Sequence, residues 1–224
     1  MSDVLVRAKG LSRQFGNGQG AIVAVAEATF EIGQGDRIAL VGPSGSGKTS
    51  LLHLIAGLDQ PSGGVIEWPA LGQAEDLRPG PVAVAFQGPS LLPPLTVEEN
   101  VALPVLLAGG SPAAASAAAL ILIELLGLSD VASKLPEEIS GGQAQRAGMA
   151  RALMGEPRLI LADEPTGQLD RRSALELVDV LLRQAESTGA SVVVATHDAA
   201  VADRLPLRWT ITERRLETGA PCSL

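Results

Sequence analysis

The sequence predicts an α/β fold built on a mostly parallel sheet, and three observations lead there. Short, almost unbroken apolar runs recur at 37–42, 82–86, 158–163 and 191–196. Helical patterns lie between them, at 47–57 and 171–187. The first run leads straight into a glycine-rich loop, "GPSGSGKT" at 42–49, that opens the first helix. A strand apolar at every position suits a parallel sheet covered on both faces, since neither face meets water and alternation is lost. Helices between such strands supply the crossovers that parallel pairing needs.

In chain order, residues 1–40 read as additional strands flanking the sheet, an antiparallel β subdomain with turn-forming "GNGQG" at 16–20. "RIALVG" at 37–42 is the first parallel strand, and the helix over 47–57 follows it. "VAVAF" at 82–86 is the next. The stretch 88–157 differs in character. It opens on a Pro-rich turn, "GPSLLPPL". Ser111 and Pro112 then form a helix start, with serine as the cap and proline at the first helical position. A second helix runs from 141 to 155 and stops before Pro157. This stretch reads as a helical subdomain inserted between sheet strands. "RLILAD" at 158–163 resumes the sheet, the helix over 171–187 ends at Gly189, and "SVVVAT" at 191–196 closes the series. One domain over 1–224 is expected, its core formed by 1–87 and 158–224 with 88–157 inserted.

Composition narrows the function classes. Apolar residues make up 46% of the 224 and aromatics only 2%, so the core is aliphatic. A net charge of -8 argues against binding nucleic acid through a basic surface. Cys222 is the only cysteine, so there is no intrachain disulfide and no cysteine metal cluster. "MSDVLVRAKG" has no long apolar segment of a signal peptide, and a cytoplasmic location is expected. The most apolar helix, "PAAASAAALILIELLG" at 112–127, is interrupted by Ser116 and Glu124. About 15 helical residues span roughly 22 Å, short of the ~30 Å hydrocarbon core. It reads as a packed helix, and any work at a membrane passes through a partner.

The loop at 42–49 matches G-x-x-x-x-G-K-S/T. Gly42, Pro43, Ser44, Gly45, Ser46 and Gly47 bring backbone N–H groups together around phosphate oxygens. Lys48 reaches the β and γ phosphates, and Thr49 offers a hydroxyl to Mg²⁺. The helix running on through Ser50 points its positive end at the same place. "LILADEP" ends a buried strand in two carboxylates, at the strand end where open α/β sheets hold ligands. Asp163 suits Mg²⁺, and Glu164 then lies where it polarises an attacking water. Two acids at a strand end are ordinarily just solvated; the phosphate loop tips that balance.

Gln87 follows the strand at 82–86, a position from which it touches Mg²⁺ or the water, though a glutamine in a loop is ordinary. His197 ends the strand at 191–196 beside Asp198 and on its own reads as a surface residue. Asp170 precedes a helix and is equally a cap, and His53 reads as a packing residue. "ISGGQAQR" at 139–146 places Ser140 at a helix start followed by Gly141, Gly142 and Gln143. Free N–H groups and a hydroxyl there make a second anion site, or simply a capped helix. One phosphate loop already surrounds one nucleotide, so a second site serves another nucleotide or another chain's.

The order "GPSGSGKT", Gln87, "ISGGQAQR", "LILADEPTGQLD", His197 resembles the ATP-binding subunit of ABC transporters over nearly the whole chain. The resemblance implies a phosphate-loop NTPase core that binds ATP with Mg²⁺ and hydrolyses it. It also implies a homodimer of head-to-tail ATPase subunits held under integral-membrane permease subunits on the inner face of the membrane. Ser140, Gly141, Gly142 and Gln143 then contact the γ-phosphate on a partner's loop. Asp163 and Thr49 serve the metal, with Gln87 as coupling glutamine. Glu164 is the general base, Asp170 the dimer contact and His197 the switch histidine. Phe15 takes the place of the aromatic that stacks on adenine, in a chain without tyrosine. Ile139 stands for the usual leucine, and the segment between Ser62 and Phe86 is short for the branch. "TGQLD" and "LLPPLTVEENVALPVLL" resemble the exporter-associated branch of lipoprotein-releasing, macrolide-export and cell-division ATPases. A cell-division-type ATPase signalling across the membrane would carry the same motifs. A soluble ATPase of DNA repair or translation would come in a longer chain with a coiled-coil insert or tandem domains, and this chain lacks heptads.

Overall fold

The computed structural model describes residues 3–16, 18–88 and 90–219. Cys222 lies outside them, as do Asn17 and Pro89 of the two expected turns. The strands are β1 (Val4–Phe15), β2 (Ile22–Gly33), β3 (Arg37–Val41), β4 (Gly63–Glu67), β5 (Val82–Ala85), β6 (Leu159–Asp163), β7 (Ser191–Thr196), β8 (Leu207–Thr212) and β9 (Arg215–Thr218). They form a single sheet in the order β4-β1-β2-β9-β8-β3-β7-β6-β5. At one end β1 pairs antiparallel with β2 and β4. From β8 through β3, β7 and β6 to β5 every pairing is parallel.

The parallel strands explain their own composition. Ile160 and Ala162 of β6 point to one hydrophobic cluster, Leu159 and Leu161 to another. β7 repeats this with Val192 and Val194 against Val193 and Ala195, and β3 with Ala39 against Ile38 and Leu40. Side chains alternate as in any strand, but both faces are dry. The first cluster is closed by helices α2 (Val97–Leu107), α3 (Pro112–Leu125), α4 (Gly141–Leu153) and α5 (Arg171–Thr188). The second is closed by α1 (Lys48–Ile55) and by β1 and β2. A short α6 (Ala199–Ala202) follows β7.

Helix ends follow the local chemistry. Ser111 accepts the Ala114 N–H at 3.2 Å, with Pro112 opening α3. Gly189 closes α5 at φ 71°, a left-handed conformation that glycine reaches without strain. No helix among the described residues is long and apolar enough to cross a membrane.

Two regions depart from the sequence reading. The stretch 88–157 carries three α-helices where two are expected, because α2 fills the segment between the Pro-rich turn at 88–95 and the helix start at Ser111. Pro104 inside α2 removes a backbone donor and hides the helical pattern. α2 forms nonetheless because Thr96 and Glu99 make a capping box, Glu99 N–H to Thr96 Oγ1 at 3.2 Å and Thr96 N–H to Glu99 Oε2 at 2.8 Å. The fully buried Asn100 then ties the helix to the turn before it. It accepts the Leu92 N–H at 2.7 Å and donates to the carbonyls of Leu92, Leu95 and Thr96. The β8–β9 hairpin is the second departure. Its turn residues Glu213 and Arg214 have φ 49° and 68° without the Asn-Gly pair that announces such turns.

What matters for function is a consequence of strand order. β3, β7 and β6 are neighbours, so the segments at their carboxyl ends, beginning at Gly42, His197 and Glu164, meet along one edge of the sheet.

Candidate nucleotide-binding and catalytic site

The loop between β3 and α1 is shaped by its glycines. Gly45 and Gly47 have φ 75° and 107°. A Cβ on Gly47 would collide with the Ala24 carbonyl, and one on Gly42 with the Ile211 carbonyl, so the loop lies tight against β2 and β8. No side chain caps α1, leaving the N–H groups of its first turn free for an anion. The Lys48 ammonium is buried and folds back over the loop. It donates to the carbonyls of Gly42 at 2.8 Å and Pro43 at 3.2 Å, and lies 3.6 Å from Glu164 Oε1.

Asp163 is the last residue of β6, and its Oδ2 accepts the Thr49 hydroxyl at 2.7 Å. Its Oδ1 is buried without a hydrogen-bond partner, as is the Ser46 hydroxyl. Burial pushes the Asp163 carboxyl above its usual 3.8; the Thr49 hydroxyl opposes this and the Glu164 carboxylate adds to it. A carboxylate and a hydroxyl, with one oxygen still unpartnered, form a hard donor set of the kind that holds Mg²⁺ together with substrate phosphates.

Glu164 has φ 45°, a conformation costing a residue with a side chain on the order of 1–3 kcal/mol. Its backbone is pinned on both sides. Its N–H donates to the Ala195 carbonyl at 2.9 Å, and its carbonyl accepts the Gly167 N–H at 3.2 Å and Gln145 Nε2 at 3.0 Å. Thus held, the buried carboxylate stands between the Lys48 ammonium and His197, whose Nδ1 is 2.9 Å from Glu164 Oε2.

A cavity of about 360 Å³ collects most of the expected residues. Ser44, Gly45, Gly47, Lys48, Thr49 and Ser50 line it with Gln87, Asp163 and Glu164, and Phe15 stands at its rim, 45% exposed. The Arg13 guanidinium lies 4.4 Å from the centre of the Phe15 ring. Ile22, Val23, Ala24 and Arg214 complete the lining. The sequence reading missed these four, because only the pairing of β2 with β9 brings the β8–β9 turn beside β2. It also gave no role to Gln145, which lies within "ISGGQAQR" but meets Glu164 from 19 residues away. His53 is half-buried with its ring set edge-on to Phe86, in keeping with a packing role.

Gly42, Pro43, Ser46 and His197 adjoin this cavity without lining it, and two further groups of expected residues lie away from it. Ser140 caps α4 in a capping box with Gln143, accepting its N–H at 3.3 Å while the Ser140 N–H donates to Gln143 Oε1 at 2.9 Å. Ser140 and Gly141 are exposed and do not line the cavity of their own chain. Both glycines leave room for neighbouring side chains: a Cβ on Gly141 would displace the end of the Gln168 side chain, and one on Gly142 would come 2.9 Å from a Leu169 methyl. Asp170 is exposed and caps α5, accepting the N–H groups of Arg172 at 3.0 Å and Ser173 at 3.1 Å. The Ser173 hydroxyl, also bonded to it, holds the Asp170 carboxyl below its usual 3.8. Elsewhere, a larger groove of about 840 Å³ runs along β5 and α2, lined by apolar residues such as Phe86, Leu103, Val105, Leu107 and Met154.

Known proteins agree with this geometry. The family model described as ABC transporter matches residues 25–167. The chain is 36% identical over 212 residues to the lipoprotein-releasing system ATP-binding protein LolD of Legionella pneumophila (strain Paris), covering 92% of this chain and 93% of that one. It is 36% identical over 231 residues to the LolD of Shewanella sp. (strain MR-4), with 98% of each covered. Among solved structures it resembles the dimeric post-hydrolysis state of the ATP-binding cassette MJ0796 bound to ADP and Pi, at TM-score 0.90 and 31% identity over 98% of this chain and 100% of that one. The chain therefore belongs to the ABC transporter family, as an ATP-binding subunit that hydrolyses ATP.

Proposed function

We propose that this protein is the ATPase subunit of an exporter of the lipoprotein-releasing type, working as a head-to-tail homodimer at the inner face of the membrane under permease subunits. One observation carries the dimer: the anion-ready start of α4 faces outward and takes no part in its own chain's cavity. Each cavity is thus half a site, completed by Ser140, Gly141, Gly142 and Gln143 of a second copy. The dimeric ATP-binding cassette structures and the LolD relatives support the assembly and the branch.

In this reading Phe15 stacks on the adenine and residues 42–50 wrap the phosphates. Lys48 exchanges its loop carbonyls for phosphate oxygens, which is favourable because the ammonium is already desolvated. Thr49 and Asp163, with Gln87 nearby, would hold Mg²⁺, which supplies charge neutralisation across the phosphates when bound. Glu164 accepts the proton of the attacking water, and His197 fixes the orientation of that carboxylate. Asp170 faces the partner while capping α5. We assign residues 1–87 and 158–224 to the nucleotide-binding core and 88–157 to a helical subdomain. The apolar groove beside β5, bordering both, receives a segment of the permease.

A mixed dimer tests the shared site. In a Glu164→Gln background that keeps closed states, one chain carries Ser140→Arg and a differently tagged chain carries Lys48→Ala. Each homodimer has two damaged sites, whereas the mixture has one intact and one doubly broken. Co-purification with ATP is expected for the mixture alone, with about one tightly held ATP per dimer. A Ser140→Arg homodimer that closes on ATP as well as the background would reduce the α4 start to a capped helix and overturn the reading.

A further inference from the structure

Gln145 does not line the cavity described above, yet its half-buried side chain spans the turn that carries Glu164. Its Nε2 donates to the Glu164 carbonyl at 3.0 Å and its Oε1 accepts the Gln168 N–H at 2.9 Å. Only one orientation of the amide satisfies both bonds, because a carbonyl cannot donate and an N–H cannot accept. Gln145 therefore clamps both ends of the turn 164–168. Other bonds also hold this turn: the Glu164 N–H donates to the Ala195 carbonyl at 2.9 Å, the Gly167 N–H to the Glu164 carbonyl at 3.2 Å and the Leu169 N–H to the Thr166 carbonyl at 3.0 Å, but none of them holds Gln168, which like Gly167 is exposed. Yet Glu164 needs fixing, since its backbone sits at φ 45° and its carboxylate must stay between Lys48 and His197.

The clamp belongs to α4, whose first turn is Gly141, Gly142 and Gln143. That turn also rests on the same loop, through Gly141 against the Gln168 side chain and Gly142 against Leu169. A shift of the α4 start is thereby passed to the Glu164 backbone by two routes, one steric and one hydrogen-bonded.

We propose that Gln145 is a positioning residue for hydrolysis: it ties α4 to the backbone of Glu164, so that seating the Ser140–Gln143 segment on a partner's nucleotide sets the general base of this chain's own site. This rests on the reading of Glu164 as general base and of the α4 start as a shared-site element. Gln145 does not line the nucleotide cavity, so it acts on turnover and not on ATP affinity.

The test compares purified full-length chains by steady-state ATPase, single-turnover hydrolysis, ATP binding and melting. Gln145→Ala removes both bonds. Gln145→Glu keeps the size and the acceptor for the Gln168 N–H but cannot donate to the Glu164 carbonyl, and it guards against a packing defect in the alanine variant. Both are expected to lower kcat roughly tenfold, the scale of a small misplacement of a catalytic group, with KM and Kd for ATP within about twofold. Because Gln145 acts through Glu164, the Gln145→Ala/Glu164→Gln double variant should hydrolyse in single turnover at the rate of Glu164→Gln alone. Wild-type kcat in both variants overturns the proposal. So does a parallel loss of ATP affinity and melting temperature, or a double variant slower than Glu164→Gln by the single variant's factor. Failure of the underlying reading shows separately, as a Glu164→Gln chain that still turns over near the wild-type rate.

Discussion

Single residues here carry paired duties. Lys48 is a buried cation satisfied by loop carbonyls, and in the proposed function it passes from them to the phosphates. Gly141 and Gly142 leave N–H groups open and also make room for Gln168 and Leu169. Asp170 caps α5 in the monomer, whatever it meets in a dimer. Its titration is testable. The Ser173 hydroxyl and backbone N–H groups favour the ionised form, so the folded pKa lies below the usual 3.8. A depressed carboxyl contributes stability above its unfolded pKa and loses it as pH falls through the folded one. The Asp170→Asn chain keeps a competent cap without the charge. The wild type is expected to melt above Asp170→Asn at pH 7, the gap narrowing as pH is lowered below about 3.8. An equal gap at pH 7 and pH 3, followed by thermal melts, would assign the difference to something other than this charge.

Among elements, α2 and α4 do the most to connect the chain's parts. α4 reaches the catalytic turn through Gln145 and the segment after β5 through Arg151, whose guanidinium donates to the Ser90 carbonyl at 2.9 Å and the Ser90 hydroxyl. Burial lowers the Arg151 pKa from its usual value, a desolvation that those bonds offset. α2 depends on its first turn, because Pro104 weakens its middle and its apolar face is interrupted. Thr96→Ala removes both the Glu99 cap bond and the hydroxyl contact with the Glu99 carboxylate. The cost should be about 1 kcal/mol, read as a lower urea midpoint at unchanged slope, with kcat on ATP nearly intact. A loss above ~3 kcal/mol would mean that Thr96 does more than cap.

For the whole molecule, the cavity and the apolar groove adjoin through consecutive residues: Gln87 lines the first and its neighbour Phe86 the second. A permease segment in the groove would therefore be one residue from the nucleotide site. Leu107 lines the groove and is 66% exposed, so changing it spares the core. Leu107→Glu is expected to cut co-purification of the permease at least tenfold, since burying an unpaired carboxylate is costly, while ATP affinity of the isolated subunit stays unchanged. Undiminished co-purification would move the permease to another face.

The sequence by itself determined the parallel core, the phosphate loop, the acidic strand end and the caps of α3, α4 and α5. Each rests on neighbours in the chain: apolar runs dry on both faces, glycines spaced for a loop, a serine or aspartate just ahead of a helix. The family resemblance then supplied the order in which such parts occur. Tertiary structure alone decided three other things. Strand order β3-β7-β6 brought the Lys48, His197 and Glu164 side chains within bonding range across the sheet edge. The β8–β9 turn came to the cavity wall through pairing of β9 with β2. Gln145 met Glu164, 19 residues away, because α4 packs beside the end of β6. Local patterns record the conformations that neighbouring residues prefer, whereas these contacts follow from which distant surfaces must be buried together.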